Sequence, residues 1–228
     1  MTIFYFTLIR SLRSTSTLIT ITLIPVIMIL VKPLWYLEHN TGFNLYGMVI
    51  LYGGFSLVRS IMSDRVTGTI TRILAAPITS FQYLFQSFLA YLLLQALQIL
   101  LIAGLGTFLY HWKFALSLKL FICYTIFAAT AISFSLAWNS LFKSKIMSET
   151  VFTIIIALMA LLGGVYFPID MFPEFLKKIA MMIPNYWLSN ALLSLQKSQG
   201  FSNYLLSIAV LILFAIAYLI FGSKKRLE

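Results

Sequence analysis

Long apolar runs dominate the sequence, and each is close to the ~20 residues that a helix needs to cross a bilayer. Six runs qualify, at residues 15–36, 43–62, 82–109, 118–141, 147–166 and 202–222. We therefore predict an all-α integral membrane protein with six transmembrane helices, organised as one transmembrane domain over residues 1–228. The first run is the weakest, because Lys32 and Pro33 interrupt it.

Residues 1–13 precede the first run and alternate apolar with polar positions before Arg10 and Arg13. This pattern is typical of a helix that lies along a membrane surface. We expect an N-terminal interfacial helix rather than a cleaved leader, since no small-residue cleavage site follows.

A polar island at residues 64–77 separates the second and third runs. Its helical periodicity places Val66, Ile70, Ile73 and Leu74 on one face and Arg65, Thr69 and Arg72 on the other. Pro77 would end the helix. A tight turn would suffice to reconnect two spans, so a short amphipathic helix here predicts a contact with another protein.

A second unusual stretch, residues 163–200, precedes the last run and is punctuated by Pro168, Pro173 and Pro184. Two short amphipathic helices fit, one starting at Pro173 and one from about Tyr186. Both are too short to span. We predict a re-entrant helical hairpin that dips into the outer leaflet.

Basic residues set the predicted orientation, because Lys and Arg favour the cytoplasmic side. With the N-terminus inside, the inner side holds ten of the sixteen and the outer side six. We therefore expect a multi-pass protein of the cell membrane with both termini and the island in the cytoplasm. The inner residues are Arg10, Arg13, Arg59, Arg65, Arg72, Lys143, Lys145, Lys224, Lys225 and Arg226.

Several sequence motifs are absent, and their absence disfavours some classes of function. The chain is 61% hydrophobic and only 10% charged, and its basic residues form no nucleic-acid motif. It carries no phosphate-binding G-x-x-x-x-G-K-[ST] loop. His39, His111 and Cys123 stand apart, without metal-ligand spacing. We predict no catalytic or metal site and no cofactor in this chain.

Polar uncharged side chains within the runs leave two interpretations open. Hydrogen bonding between helices is one, and the lining of a substrate path is the other. No charged residue falls near the middle of a run, which disfavours ion-coupled carriers and intramembrane hydrolases. The candidate path residues are Ser56, Gln95, Gln98, Ser133 and Asn139.

The island and the outer segment together resemble the permeases of the ABC-2 exporter family. The similar island positions are Asp64, Arg65, Gly68, Thr69, Ile70, Ile73, Leu74 and Pro77, and the similar outer positions are Gly164, Phe167, Pro168, Pro173 and Pro184. Two positions depart, since Val66 and Thr71 stand where the family usually has acidic residues.

The resemblance implies that this chain is one half of an ATP-driven exporter. It would pair with a second permease copy or a paralogous permease, and membrane lipids would surround the pair. Cytosolic ABC ATPase subunits would bind ATP and Mg²⁺, and the island, with Arg72, would be the coupling helix that docks on them. From the 16% aromatic content and the uncharged spans we expect a hydrophobic or amphipathic substrate, such as a peptide, drug or lipid-like molecule. The alternatives are an ion-gradient-coupled transporter and a membrane scaffold that transports nothing.

Overall fold

A computed structural model describes residues 2–36, 41–69, 79–142, 144–167, 169–196 and 201–224. Several predicted site residues lie outside these ranges. They are Ile70, Arg72, Ile73, Leu74, Pro77 and Pro168.

The described chain is helical throughout its regular elements. The shorter helices are α1 (Thr2–Arg13), α2 (Thr15–Leu30), α3 (Pro33–Tyr36), α8 (Glu174–Ala180) and α9 (Pro184–Gln196). The long helices are α4 (Thr41–Val66), α5 (Ser80–Tyr110), α6 (Phe114–Leu141), α7 (Lys145–Leu162) and α10 (Phe201–Lys224).

The predicted all-α membrane architecture is confirmed. Five described helices, α4 to α7 and α10, are long and apolar enough to cross a bilayer. The bent pair of α1 and α2 supplies a sixth candidate, with an angle of 80° between its two helices. The corner lies at Ser14, whose extended ψ of 110° interrupts the helix. The placement of α1 on a membrane surface stays a prediction.

The first span is shorter than the predicted run 15–36. Helix α2 stops at Leu30, and the separate turn of α3 follows. Pro33 explains the break, since a residue that precedes proline is disfavoured in the α conformation. Pro25 lies inside α2 just after a π-helical turn at Ile19–Leu23, which accommodates its missing N–H.

Most other spans run past the predicted limits, because polar end residues continue the backbone hydrogen bonding of an apolar helix. The predicted start of the island helix at Asp64 is therefore wrong. Helix α4 extends through Val66, so Asp64 and Arg65 belong to its last turn. Helix α7 ends earlier than predicted, at Leu162, because Gly164 turns the chain with a φ of +80°.

The outer segment contains the two predicted short helices, α8 and α9. Pro173 is the N-cap of α8 rather than its first residue, and α9 opens at Pro184, two residues before the predicted start. Leu188, Ala191 and Leu192 of α9 are buried in the core. Its depth in the membrane stays a prediction.

Helix α6 is the most buried of the candidate spans and packs against α4, α5 and α10. The helices leave two distinct ends. We call the end where α4 stops and α5 begins the island end, and the other the loop end. At the loop end Trp35, Phe43 and Trp112 lie with ring centroids 5.1–5.5 Å apart, as aromatic side chains often do near an interface.

Candidate functional site

The island end is joined together by an arginine and an aspartate from different helices. The Arg10 guanidinium of α1 donates from Nη1 to Oδ2 of Asp64 at 2.6 Å and from Nη2 to Oγ of Ser60 at 2.9 Å. The Tyr83 hydroxyl of α5 donates to the same Asp64 oxygen at 3.4 Å. The three helices α1, α4 and α5 therefore meet at one carboxylate.

Partial burial distinguishes this pair from a surface ion pair, because loss of either charge would leave the other partly desolvated. The Asp64 side chain is 13% exposed and that of Arg10 is 41% exposed. Burial by itself would lower the pKa of Arg10, but the hydrogen bond and charge of Asp64 outweigh it, so the pKa is raised overall. Arg10 therefore stays charged at any physiological pH.

Arg65, the next residue, connects the root of the island to α6. Its Nη1 donates to the backbone oxygen of Asn139 at 2.7 Å. The Asn139 side chain in turn accepts a hydrogen bond from Ser148 of α7 at 2.9 Å. Neither Asp64 nor Arg65, both predicted to face an ATPase, is directed away from the membrane domain.

A second ion pair joins α4 to α7. Arg59 Nε lies 2.6 Å from Oε1 of Glu149, with side chains 45% and 31% exposed. This pair is more accessible to solvent than Arg10–Asp64, so we expect it to contribute less.

The second residue after α4 is a glycine in the left-handed region, Gly68, at a φ of +70°. Thr67 and Thr69 share a hydrogen bond of 2.9 Å between their hydroxyl groups beside it. The chain re-enters the bundle at Thr79, whose side chain accepts from the backbone of Gln82 in a complete capping box. Both flanks of the island are thus fixed to helix ends.

A polar cleft of about 400 Å³ lies at the island end between α1, α2, α4 and the start of α7. Leu57 is the one apolar residue among its described lining. The other lining residues are Arg10, Ser11, Ser14, Ser16, Thr17, Ser56, Arg59, Ser60, Ser63, Asp64 and Lys145.

A smaller hollow of about 170 Å³ lies where α1 and α2 face α5, and we call it the apolar pocket. Leu18, Ile21, Pro25, Leu94 and Leu97 provide much of its lining. It shares Ser11 and Thr17 with the polar cleft.

The structure separates the five predicted path residues. Ser56 lines the polar cleft and Gln98 lines the apolar pocket. Gln95 donates to the Ile50 carbonyl at 2.7 Å, and Asn139 bonds to Ser148. Ser133 is fully buried. Gln95 and Asn139 therefore join helices, and a substrate path along all five stays a prediction.

The predicted outer residues lie at the loop end, around the turn after α7. The Gly164 carbonyl accepts from Asn44 of α4 at 3.2 Å, and the Gly163 carbonyl accepts from Ser189 of α9 at 2.6 Å. Pro184 is buried, whereas Phe167 and Pro173 are exposed. These contacts attach the outer segment to the bundle.

Comparison with protein families matches residues 32–224 to the ABC-2 family transporter proteins. The chain belongs to the ABC-2 transporter family. This ABC-2 permease is therefore a multi-pass membrane subunit of the ABC transporter class and is not itself the ATPase. The match begins after α1 and α2, so the matched residues do not include Arg10. A comparison with curated proteins found no match.

Sequence reasoning missed the roles of Arg10, Ser60 and Tyr83. It counted Arg10 only as an inner charge. A usable signal was present, because Asp64 is one of only six acidic residues in the chain and ends an apolar helix. Such a carboxylate needs a cation or hydrogen-bond donors nearby. Among the described residues no group of His, Cys, Asp and Glu could hold a metal ion.

Proposed function

We propose that this ABC-2 permease is the membrane half of an ATP-driven exporter. A separate cytosolic ABC ATPase, which binds ATP and Mg²⁺, would dock on the island. In this arrangement the island end faces the cytoplasm, both termini are cytoplasmic, and the protein resides in the cell membrane.

The observation that carries the proposal is the anchoring of the island's root. Asp64 is bonded to Arg10 of α1 and to Tyr83 of α5. Arg65 is bonded to the backbone of α6. A force applied to the island would therefore reach four helices through short charged contacts, rather than bending a flexible loop.

ATP binding can drive transport only if it favours one conformation of the permease over another. The anchored root supplies a rigid connection for this bias. Closing of the ATPases would move the ends of α1, α4, α5 and α6 together.

We further propose that two permeases, identical or paralogous, form the transport path at their shared seam. Helices α7 and α10 support this, because they are the least buried of the candidate spans and expose Ile154, Leu158, Leu213 and Ile216. A hydrophobic or amphipathic cargo fits such a seam.

The decisive experiment is purification of the complex from native membrane, followed by reconstitution into vesicles. We expect an ABC ATPase to co-purify and its ATP hydrolysis to rise with amphipathic peptides or lipophilic drugs. Gly68→Val should uncouple hydrolysis from transport, since a β-branched side chain resists the left-handed φ at this position. Gly104→Ala is the matched control, because its Cβ meets open space.

Three outcomes would contradict the proposal. Transport that continues without ATP under an imposed ion gradient would indicate a secondary transporter. A pure chain that never associates with an ATPase would indicate a scaffold. Full coupling in Gly68→Val would remove the island from the mechanism.

A further inference from the structure

The polar cleft has a composition that export of an apolar cargo does not explain. Seven of its lining residues carry hydroxyl groups and three carry positive charge. These groups donate hydrogen bonds to anionic oxygens. The cleft lies at the corner between α1 and α2, where a membrane lipid headgroup would lie if α1 follows the surface.

The charge of the cleft is positive overall. Its lining holds Arg10, Arg59 and Lys145 against Asp64 alone. Arg10 is paired with Asp64, and Arg59 is paired with Glu149, which lies outside the lining. Lys145 therefore remains as the lining cation without an ion-pair partner among the described residues.

The positive charge of Lys145 does not stabilise the helix to which it belongs. It is the first residue of α7, after the N-cap Ser144. A positive charge is unfavourable at a helix N-terminus, where the partial charge of the backbone is also positive. A bound anion in the cleft would remove this unfavourable interaction.

Hydroxyl donors surround the same space. Ser14 is hydrogen-bonded with Ser16 at 3.2 Å and with Thr17 at 3.1 Å. No hydrogen bond joins the Oγ atoms of Ser56 and Ser63 to another described residue, so these hydroxyls are available to a ligand.

The neighbouring apolar pocket indicates what kind of molecule carries the anion. It borders the cleft at Ser11 and Thr17. Leu97 and Leu101, on its rim, are 54% and 43% exposed, so the pocket faces the bilayer. A polar and an apolar hollow that share a wall match a molecule with an anionic head and a hydrocarbon tail.

We propose that the polar cleft binds the phosphate group of an anionic phospholipid, with an acyl chain in the apolar pocket. The ligand chemistry is a phosphate ester without a compensating ammonium group, because a choline headgroup would bring a second positive charge towards Lys145. This site does not depend on the ATPase, the cargo or the direction of transport.

The test measures binding to the purified full-length protein in detergent, by native mass spectrometry. The probes are dihexanoyl phosphatidylglycerol, dihexanoyl phosphatidylcholine and glycerol phosphate. We expect the phosphatidylglycerol to bind at least about tenfold more tightly than either of the others. The choline lipid adds a positive charge near Lys145, and glycerol phosphate lacks the acyl chains that would bury apolar area. Equal binding of glycerol phosphate would assign the site to a soluble phosphate, and equal binding of the choline lipid would exclude anion selectivity.

Two single-charge variants separate the cleft from general attraction to anionic lipid. Lys145→Gln should weaken phosphatidylglycerol binding about tenfold, and the Ser56→Ala, Ser63→Ala double variant should weaken it further. Arg13→Gln removes an exposed charge of the same helical corner outside the cleft and should leave binding unchanged. An equal loss in Lys145→Gln and Arg13→Gln, or none in either, would overturn the proposal.

Discussion

At the scale of single residues, two ion pairs of equal length differ in their surroundings. Arg10–Asp64 and Arg59–Glu149 each have a closest distance of 2.6 Å. Asp64 is more buried than Glu149 and also accepts from Tyr83. Because removing one partner leaves the other charge partly desolvated, the more buried pair should matter more.

We predict that Asp64→Asn lowers the free energy of unfolding by about 1–3 kcal/mol, between the limits for exposed and buried pairs. Glu149→Gln is the matched control and should lower it by about 0–1 kcal/mol. Thermal unfolding in detergent measures both. The double variant Arg10→Gln, Asp64→Asn should be more stable than the sum of its single changes. Equal effects of the two acidic substitutions would contradict the assigned role of burial.

Residue identity predicted these contacts only in part. The departure at Val66 and the acid at Asp64 were visible in the sequence, but Arg10 lies 54 residues from its partner. Such a pairing depends on the 80° corner between α1 and α2. Nothing in local periodicity specifies that angle, which explains why Arg10 was counted only as an inner charge.

At the scale of elements, the turn that follows α7 positions the whole outer segment. Gly164 combines a left-handed backbone with a close approach to Ile169, where a Cβ would meet the isoleucine side chain. Its carbonyl is also occupied by Asn44. The turn thus links α4 to the entry of the outer segment through backbone geometry that favours glycine.

We predict that Gly164→Ala destabilises the protein by about 1–3 kcal/mol, because alanine is strained at this φ. Gly104→Ala, in open space on α5, should be neutral or stabilising by up to about 1 kcal/mol. Thermal unfolding of both variants measures these changes in stability. A Gly164→Ala protein as stable as the wild type would contradict the structural role of the turn.

Hydropathy predicted the existence of the long helices well and their ends poorly. The apolar content of α5 or α10 forces a span in a bilayer, whereas a helix end depends on caps and special backbone angles. Pro33 and the paired glycines mark the ends of α2 and α7 in the sequence, but the predicted runs 15–36 and 147–166 continued past both. The continuation of α4 through Val66 has no such mark, since Asp64 resembles a helix end until its buried partners are known.

At the scale of the whole molecule, the spans form a bundle with two chemically different ends. Charged pairs and hydroxyl groups gather at the island end, and a cluster of tryptophan, tyrosine and phenylalanine rings gathers at the loop end. Composition predicted an integral membrane protein, and the resemblance of the island and the outer segment indicated the family. The candidate coupling site was located by the island pattern, but its inward-directed contacts required the tertiary arrangement.

We predict that the island end of this bundle faces the cytoplasm. Cysteine labelling in intact cells tests this orientation. The native Cys123 is fully buried and should not react. Ser144→Cys at the island end should react with a membrane-impermeant maleimide only after the cells are opened, and Lys113→Cys at the loop end should react from outside. The reverse pattern would invert the membrane topology and place the island outside the cell.

The contact between Arg10 and Asp64 also has a consequence for the order in which the protein assembles during synthesis. The ribosome synthesises Arg10 before it synthesises the end of α4, so Arg10 is made without its counter-charge. The corner at Ser14 therefore cannot be secured by this contact until the second span has been threaded, and Tyr83 joins later still. The contacts of the N-terminal helix of this permease are therefore complete only after more than a third of the chain has been synthesised.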